Sequence, residues 1–209
     1  MHISQITILE KLLNIPLPGW SAHQKLLPLN TDRYRLKKEN SKQAAVLALM
    51  YPNSNGLLDL VYIKRPSHNP QDRHGGQISF PGGQSEETDR HFKDTALRET
   101  MEEIGVQQHE INILGALSPL YVFVSDFYVQ PYVGYISQKP EFIIQKSEVD
   151  YVVTESVKSL LLPDTLKTKD LIIRGNKMPN VPFFDIQGET LWGATAMITS
   201  ELLEIIRKI

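Results

Sequence analysis

The chain contains no cysteine. Disulfide bridges, cysteine nucleophiles and thiolate metal sites are therefore excluded. An excess of one charge is also missing, because 22 lysines and arginines nearly balance 24 aspartates and glutamates. The resulting net charge of −2 favours neither nucleic acid nor an anionic membrane as the main partner. No apolar run approaches the roughly 20 residues that span a bilayer.

Targeting features are absent from the first residues as well. The segment MHISQITILEKLLN has the pattern of neither a secretory signal nor an arginine-rich transit peptide, so we expect a cytoplasmic protein. Its apolar spacing predicts a short amphipathic helix between Ile3 and Leu13. We interpret residues 1–38 as an N-terminal helical extension with a connector, and residues 39–209 as one domain.

The most informative stretch runs from residue 80 to 106, FPGGQSEETDRHFKDTALRETMEEIGV. A glycine turn follows a short strand and leads into a predicted helix. A helix advances about 100° per residue, which places Glu99, Glu102 and Glu103 on one face. The opposite face, expected to be the core side, carries three apolar residues: Leu97, Met101 and Ile104.

Like charges one helical turn apart repel each other, so this acidic face needs a cation nearby. A hard divalent ion such as Mg2+ takes oxygen ligands from carboxylates, phosphates and water. Glu99 and Glu103 are one turn apart and can share such an ion, while Arg98 can orient the carboxylate of Glu102. The alternative interpretation is a solvated acidic face without a ligand.

The stretch resembles the Nudix box, G-x5-E-x7-R-E-U-x-E-E-x-G-U, in which U is apolar. The matching residues are Gly83, Asp89, Arg98, Glu99, Thr100, Glu102, Glu103, Gly105 and Val106. Three positions depart from the pattern. Asp89 stands in place of a glutamate, eight residues instead of seven separate it from Arg98, and Thr100 replaces the apolar residue.

The resemblance implies a hydrolase that cuts a pyrophosphate with Mg2+ or Mn2+. It implies that Glu99 and Glu103 bind the metal and that Glu102, positioned by Arg98, is the general base. The backbone at Gly83 would approach the metal or the phosphate. Glu148, on a separate loop, is the alternative general base.

The residues just upstream, LVYIKRPSHNPQDRHGGQISFPGG, resemble the signature of the coenzyme A pyrophosphatase subfamily, LLTxRSxxLRxHxGQVSFPGG. The resemblance implies substrate binding by four residues: Arg65, His74, Gln77 and Ser79. Lys64 and Arg73 add positive charge for a substrate with a further phosphate. Strand alternation predicts that Gln77 and Ser79 face the cavity, whereas the two apolar residues between and after them face the core.

The subfamily resemblance implies hydrolysis of coenzyme A or an acyl-coenzyme A to 3′,5′-ADP and 4′-phosphopantetheine or its acyl form. A Nudix pyrophosphatase for ADP-ribose or a dinucleoside polyphosphate is one alternative. A nucleotide-sensing Nudix module without catalysis is another. The expected partner is a small nucleotide, with neither nucleic acid nor membrane, and a homodimer is expected from the family alone.

The remaining pattern predicts the α/β class, with the Nudix-type α/β/α sandwich and a mixed sheet. An Asn55–Gly56 pair indicates a hairpin between the first two strands. The predicted strands are residues 43–51, 57–65, 77–80, 110–117, 127–136, 150–153, 171–174 and 181–186. The predicted helices after the box are residues 156–162 and 190–207.

Overall fold

A computed structural model describes residues 1–28, 39–68, 72–173 and 175–209. Residues 29–38, at the end of the predicted N-terminal extension and connector, lie outside the described residues, and so does Arg174 of the predicted strand 171–174. Within the described residues, none of the helices combines the length and the apolar composition that crossing a bilayer requires.

Helices and strands occur throughout the described residues. In chain order they are α1 (Ile6–Leu13), α2 (Trp20–His23), β1 (Lys42–Pro52), β2 (Leu58–Lys64), β3 (Ile78–Ser79), β4 (Gly82–Gln84), α3 (Phe92–Ile104), β5 (Asn112–Ala116), β6 (Leu120–Val122), β7 (Phe127–Tyr135), β8 (Tyr151–Ser156), α4 (Val157–Leu160), β9 (Leu166–Ile173), β10 (Asn176–Ile186), β11 (Glu189–Trp192) and α5 (Gly193–Ile206).

A mixed sheet forms the centre of the fold. Its main path has the order β3-β2-β1-β7-β5, and β4, β6 and β8 pair with members of that path. Strand β1 runs antiparallel to β2 and β4 but parallel to β7, with which it pairs from Lys42 to Met50. The predicted α/β class with a mixed sheet is therefore confirmed.

Helices cover both faces of β1, which explains its nearly continuous apolar sequence. Leu47 and Leu49 point to the face that α3 covers. Ala48 and Met50 point to the opposite face, where α5 and α1 pack. The predicted N-terminal helix is present as α1, and its buried Leu9 belongs to this same core. The division of the chain into an extension, residues 1–38, and a domain, residues 39–209, stays a prediction.

Strands β9, β10 and β11 form a separate antiparallel sheet, and here two predictions were wrong in extent. The predicted strands 171–174 and 181–186 are both too short, because β9 already begins at Leu166 and β10 at Asn176. The predicted helix from residue 190 begins only at Gly193. Residues 190–192 belong to β11, where Leu191 pairs with Phe184. A buried leucine fits either element, so the apolar spacing alone did not reveal the boundary.

The buried face of α3 also differs from the prediction. Leu97 and Met101 are only partly buried. The residues of α3 that are buried are Thr95, Ala96, Thr100, Glu103 and Ile104. Small side chains at Ala96 and Thr100 bring the helix close to the sheet, and the Thr100 hydroxyl donates to the Ala96 carbonyl at 2.7 Å. This bond satisfies a buried hydroxyl where the box pattern has an apolar residue.

Candidate active site

The three glutamates of α3 have different environments although they share a helix. Glu102 is exposed, Glu99 is partly buried, and Glu103 is only 2% exposed. One oxygen of Glu103 accepts a hydrogen bond from the Gly82 backbone N–H at 2.8 Å. The predicted acidic face is therefore only partly solvated, because one of its carboxylates lies inside the protein.

Glu148 lies beside two of these glutamates. One carboxylate oxygen from each of Glu99, Glu103 and Glu148 lies within 4.8 Å of the others. The loop that carries Glu148 is attached to the end of α3, because the Gln145 N–H donates to the Glu103 carbonyl at 2.9 Å. We call these three residues the carboxylate cluster.

Gly105 makes this docking possible. It ends α3 with a φ of 75°, in the left-handed region that favours glycine. A Cβ atom at this position would lie 2.7 Å from Cβ of Ile143 in the docked loop. The Ile143 N–H in turn donates to the Ile104 carbonyl at 3.0 Å. The glycine of the box thus permits both the helix end and the approach of the loop that carries Glu148.

The carboxylate cluster fits a hard divalent cation. Burial raises the pKa of the Glu103 carboxyl group to about 8, and burial also raises the pKa of Glu99. Both shifts show that burial disfavours the charged form of these carboxyl groups in the protein alone, and a bound cation would offset that cost. Three oxygen donors held within reach of one another are the ligand type that Mg2+ and Mn2+ prefer.

Gly83 lies directly against the carboxylate cluster. A Cβ atom at Gly83 would lie 2.5 Å from the carboxylate carbon of Glu99. Strand β4 brings the glycine there, since Gly83 pairs with Ala45 of β1. Only a residue without a side chain leaves the Glu99 carboxylate in its observed position. The approach of the Gly83 backbone to the metal or the phosphate stays a prediction.

Arg98 connects four groups around the acidic face. Its Nη1 donates to Glu99 at 2.9 Å and to Glu102 at 3.0 Å. The predicted contact between Arg98 and Glu102 is therefore present. Its Nη2 also donates to the Gln84 carbonyl at 3.0 Å. The guanidinium group thus links α3 to β4.

Asp89 holds the other side of Arg98. Nε and Nη2 of Arg98 donate to the two oxygens of Asp89 at 3.1 and 2.8 Å. The Thr95 hydroxyl donates to the same carboxylate at 2.9 Å. These hydrogen bonds, that from Arg98 above all, lower the pKa of Asp89 to about 2. The residue that departs from the box pattern therefore anchors the box arginine.

A cleft opens beside Gly82 and Gly83, with a volume of about 280 Å3. The four predicted substrate-binding residues all line it: Arg65, His74, Gln77 and Ser79. The alternation along β3 is confirmed, since Ile78 and Phe80 are buried in the core. Several apolar residues form much of the remaining wall: Ala44, Val46, Val122, Phe127, Val129 and Ile198.

Two polar groups in the cleft are placed for a ligand. Ser79 Oγ is buried and has no hydrogen-bond partner among the residues that the structure describes. The Arg65 guanidinium is held by two hydrogen bonds to Asp72, at 2.9 and 3.2 Å. Lys64, in contrast, forms an ion pair with Glu189 at 2.6 Å and does not line the cleft.

A family model described as the NUDIX domain matches residues 41–172 of this chain. The chain therefore belongs to the Nudix hydrolase family. The Nudix hydrolase RenU of M. smegmatis superimposes with a TM-score of 0.55 at 13% identity, over 81% of this chain and 88% of that chain. This likeness shows the shared fold.

Relatives in sequence cover most of this chain. The human protein named mitochondrial coenzyme A diphosphatase NUDT8 is 31% identical over 184 residues, which are 88% of this chain and 76% of the relative. Nudix hydrolase 15, mitochondrial, of Arabidopsis thaliana is 30% identical over 183 residues, 84% of this chain but only 61% of the relative. An uncharacterized Nudix hydrolase NudL of Pectobacterium atrosepticum is 34% identical over 130 residues, 62% of this chain and 67% of the relative. Two of these relatives are named as mitochondrial proteins, so a cytoplasmic location of this chain stays a prediction.

Proposed function

We propose that this Nudix hydrolase cleaves the pyrophosphate bond of coenzyme A or an acyl-coenzyme A, releasing 3′,5′-ADP and 4′-phosphopantetheine or its acyl form. The proposal rests on the cleft, which leads from the upstream signature to Gly82–Gly83 beside the carboxylate cluster. The residues that match the coenzyme A signature line it together: Arg65, His74, Gln77 and Ser79. The name of the human relative, a coenzyme A diphosphatase, supports the same substrate.

The metal ligands in this proposal are Glu99 and Glu103, with Glu148 as a third carboxylate. When bound, Mg2+ or Mn2+ supplies charge neutralisation for the diphosphate and a lower pKa for the attacking water. Glu103 would be held in place by the Gly82 N–H, and Glu99 by Arg98. The glycine turn leaves room for the diphosphate next to them.

Two carboxylates compete for the role of general base. Glu102 is held by Arg98 and stays our first assignment. Glu148 is favoured by its position, because its carboxylate lies next to those of Glu99 and Glu103. A general base must come within hydrogen-bond reach of the water whose proton it accepts. Separate substitutions of the two residues distinguish them.

Positive and polar groups along the cleft would bind the substrate outside the diphosphate. Arg65 is held by Asp72 in a fixed orientation, which suits bidentate contact with a phosphate. Ser79 Oγ would gain the hydrogen bond that the described residues do not supply. The apolar part of the wall is suited to the pantetheine arm or an adenine ring. A cytoplasmic location and a homodimer belong to the proposal as well.

The alternatives are a pyrophosphatase for ADP-ribose or a dinucleoside polyphosphate, and a nucleotide sensor without catalysis. Purified protein is incubated with coenzyme A, acetyl-coenzyme A, ADP-ribose or diadenosine tetraphosphate, with Mg2+ or Mn2+, and products are separated by chromatography. We expect 3′,5′-ADP from both coenzyme A substrates and no product from the Glu103→Gln control. Cleavage of ADP-ribose alone would overturn the proposed substrate. If none of the compounds is cleaved, the proposal that the protein is an enzyme is overturned.

A further inference from the structure

A second cavity adjoins the cleft and has a volume of about 420 Å3. The two cavities share four lining residues, Asp72, His74, Ser125 and Phe127, so they form one continuous depression. Gly82 and Gly83 line the cleft but not the second cavity, so the cleft lies between the carboxylate cluster and this cavity. A ligand bound at the cluster can therefore extend a further group into this space.

Two cations line the second cavity, Lys42 and Arg73. Lys42 is exposed, and its Nζ lies 5.5 Å from the centre of the Phe127 ring. Across the described ranges of the chain, no carboxylate forms an ion pair with Lys42. Among the residues that the structure describes, the acceptor of the Arg73 side chain is the Val124 carbonyl, so its other N–H groups remain for a ligand.

The carboxylates in the same wall have cationic or hydroxyl partners. Asp72 accepts two hydrogen bonds from Arg65. Asp126 accepts one from the Tyr121 hydroxyl at 2.7 Å. Because Arg65 pairs with Asp72, the lining keeps two cations, Lys42 and Arg73, against one further carboxylate, Asp126. The cavity wall therefore has an excess of positive charge, which attracts a strongly negative group.

The strand register relates Lys42 to the reaction site. Ala45 of β1 pairs with Gly83, and Lys42 is the first residue of the same strand. A strand rises by about 3.3 Å per residue, so the two positions are roughly 10 Å apart along β1. The flexible lysine side chain can shorten this distance, and a ribose between two phosphate groups can span the rest.

We propose that the second cavity binds a phosphomonoester carried by the ribose of the substrate, with Lys42 and Arg73 as its cationic partners. This inference rests on the proposed function, in which that group is the 3′-phosphate of a coenzyme A substrate. Arg73 was expected from the sequence to supply positive charge, whereas Lys42 lies outside the upstream signature and no motif marks it. The cavity makes the 3′-phosphate a determinant of specificity, separate from cleavage of the diphosphate.

The first experiment compares coenzyme A with dephospho-coenzyme A, which lacks only the 3′-phosphate. We expect wild-type protein to prefer coenzyme A in kcat/KM, through a lower KM. Lys42→Ala should reduce this preference about tenfold or more, because a hydrogen bond to a charged group is stronger than one between neutral groups. Lys42→Arg should retain most of it. Lys11→Ala, which removes an exposed lysine from α1, serves as the matched control and should leave both rates unchanged.

The second experiment needs no turnover. Calorimetry measures the affinity of 3′,5′-ADP and of 5′-AMP for wild-type protein, Lys42→Ala and Arg73→Ala. We expect wild type to bind 3′,5′-ADP about tenfold tighter and both variants to lose that difference. Equal affinities in wild type would overturn the inference. A retained difference combined with no cleavage of coenzyme A would support this site and would overturn the proposed function instead.

Discussion

Replacing Gly83 by alanine introduces a methyl group against the carboxylate cluster. An ideal Cβ at this position lies 2.5 Å from the carboxylate carbon of Glu99 and 2.5 and 2.6 Å from its two oxygens. Non-bonded carbon atoms prefer about 3.5–4.0 Å, so the Glu99 carboxylate must move by about 1 Å. The perturbation is therefore confined to the position of one candidate metal ligand.

A displacement of this size has a large effect on the rate. Misplacing a reacting group by about 1 Å costs about 100-fold, so we expect kcat/KM to fall by about that factor. Stability should change by less than about 1 kcal/mol. Gly83 does not have a left-handed φ, Glu99 can rotate away, and alanine stabilises by restricting the unfolded chain.

Gly115→Ala is the matched control for a glycine in a strand. A Cβ at Gly115 would lie 2.8 Å from Cβ of Leu13 in α1, and Cβ is fixed to the backbone and cannot rotate away. We expect a loss of about 1–3 kcal/mol in the free energy of unfolding from overpacking, with an unchanged kcat. Urea unfolding and steady-state hydrolysis are measured on both variants with a saturating divalent metal.

Gly83→Ala should thus lose activity and keep its stability, whereas Gly115→Ala should lose stability and keep its activity. Wild-type kcat/KM in Gly83→Ala would refute the close approach of this glycine to a working carboxylate. A large loss of stability in the same variant would refute the claim that the substitution acts only on the site.

The other predictions concern the charged residues around the box helix. Glu103→Gln should abolish hydrolysis while the protein stays folded, since an amide keeps the side-chain volume but is a poor ligand for a hard cation. Mn2+ should raise the melting temperature of the wild-type protein but not that of the variant. A wild-type rate of hydrolysis in the variant would contradict the assignment of Glu103 as a metal ligand. Glu102→Gln and Glu148→Gln distinguish the two candidate bases. Loss of the general base should lower kcat by about 10²–10⁴ and remove the acidic limb of the pH–rate profile. Unaltered profiles in both variants would exclude both residues as the base. Asp89→Asn should be less stable than wild type at neutral pH, because Arg98 lowers the pKa of Asp89 from 3.8 to about 2. A lowered pKa stabilises the fold above the unfolded value, so the difference in unfolding free energy should shrink as pH falls from 3.8 to about 2, and a constant difference would contradict the ion pair.

Local signals in the sequence determined much of this protein. The apolar run before Asn55–Gly56 and the run after it form the predicted antiparallel strands β1 and β2. The glycine turn, the acidic helix and the left-handed Gly105 all lie where the pattern of the box predicts. These features depend on residues that are close together in sequence, and the periodicity of apolar residues reflects such local relations directly.

Only the tertiary structure decided which carboxylates meet. Glu148 joins Glu99 and Glu103 because a distant loop docks on the end of α3, and no local pattern encodes that approach. Glu103 is buried because it shares a face of α3 with Ala96 and Thr100, and packing chose that face over the one with Leu97 and Met101. Lys42 reaches the second cavity through the parallel pairing of β1 with β7, a contact between strands far apart in sequence. Charge and spacing are local properties, whereas burial and the meeting of separate loops depend on how the whole chain packs.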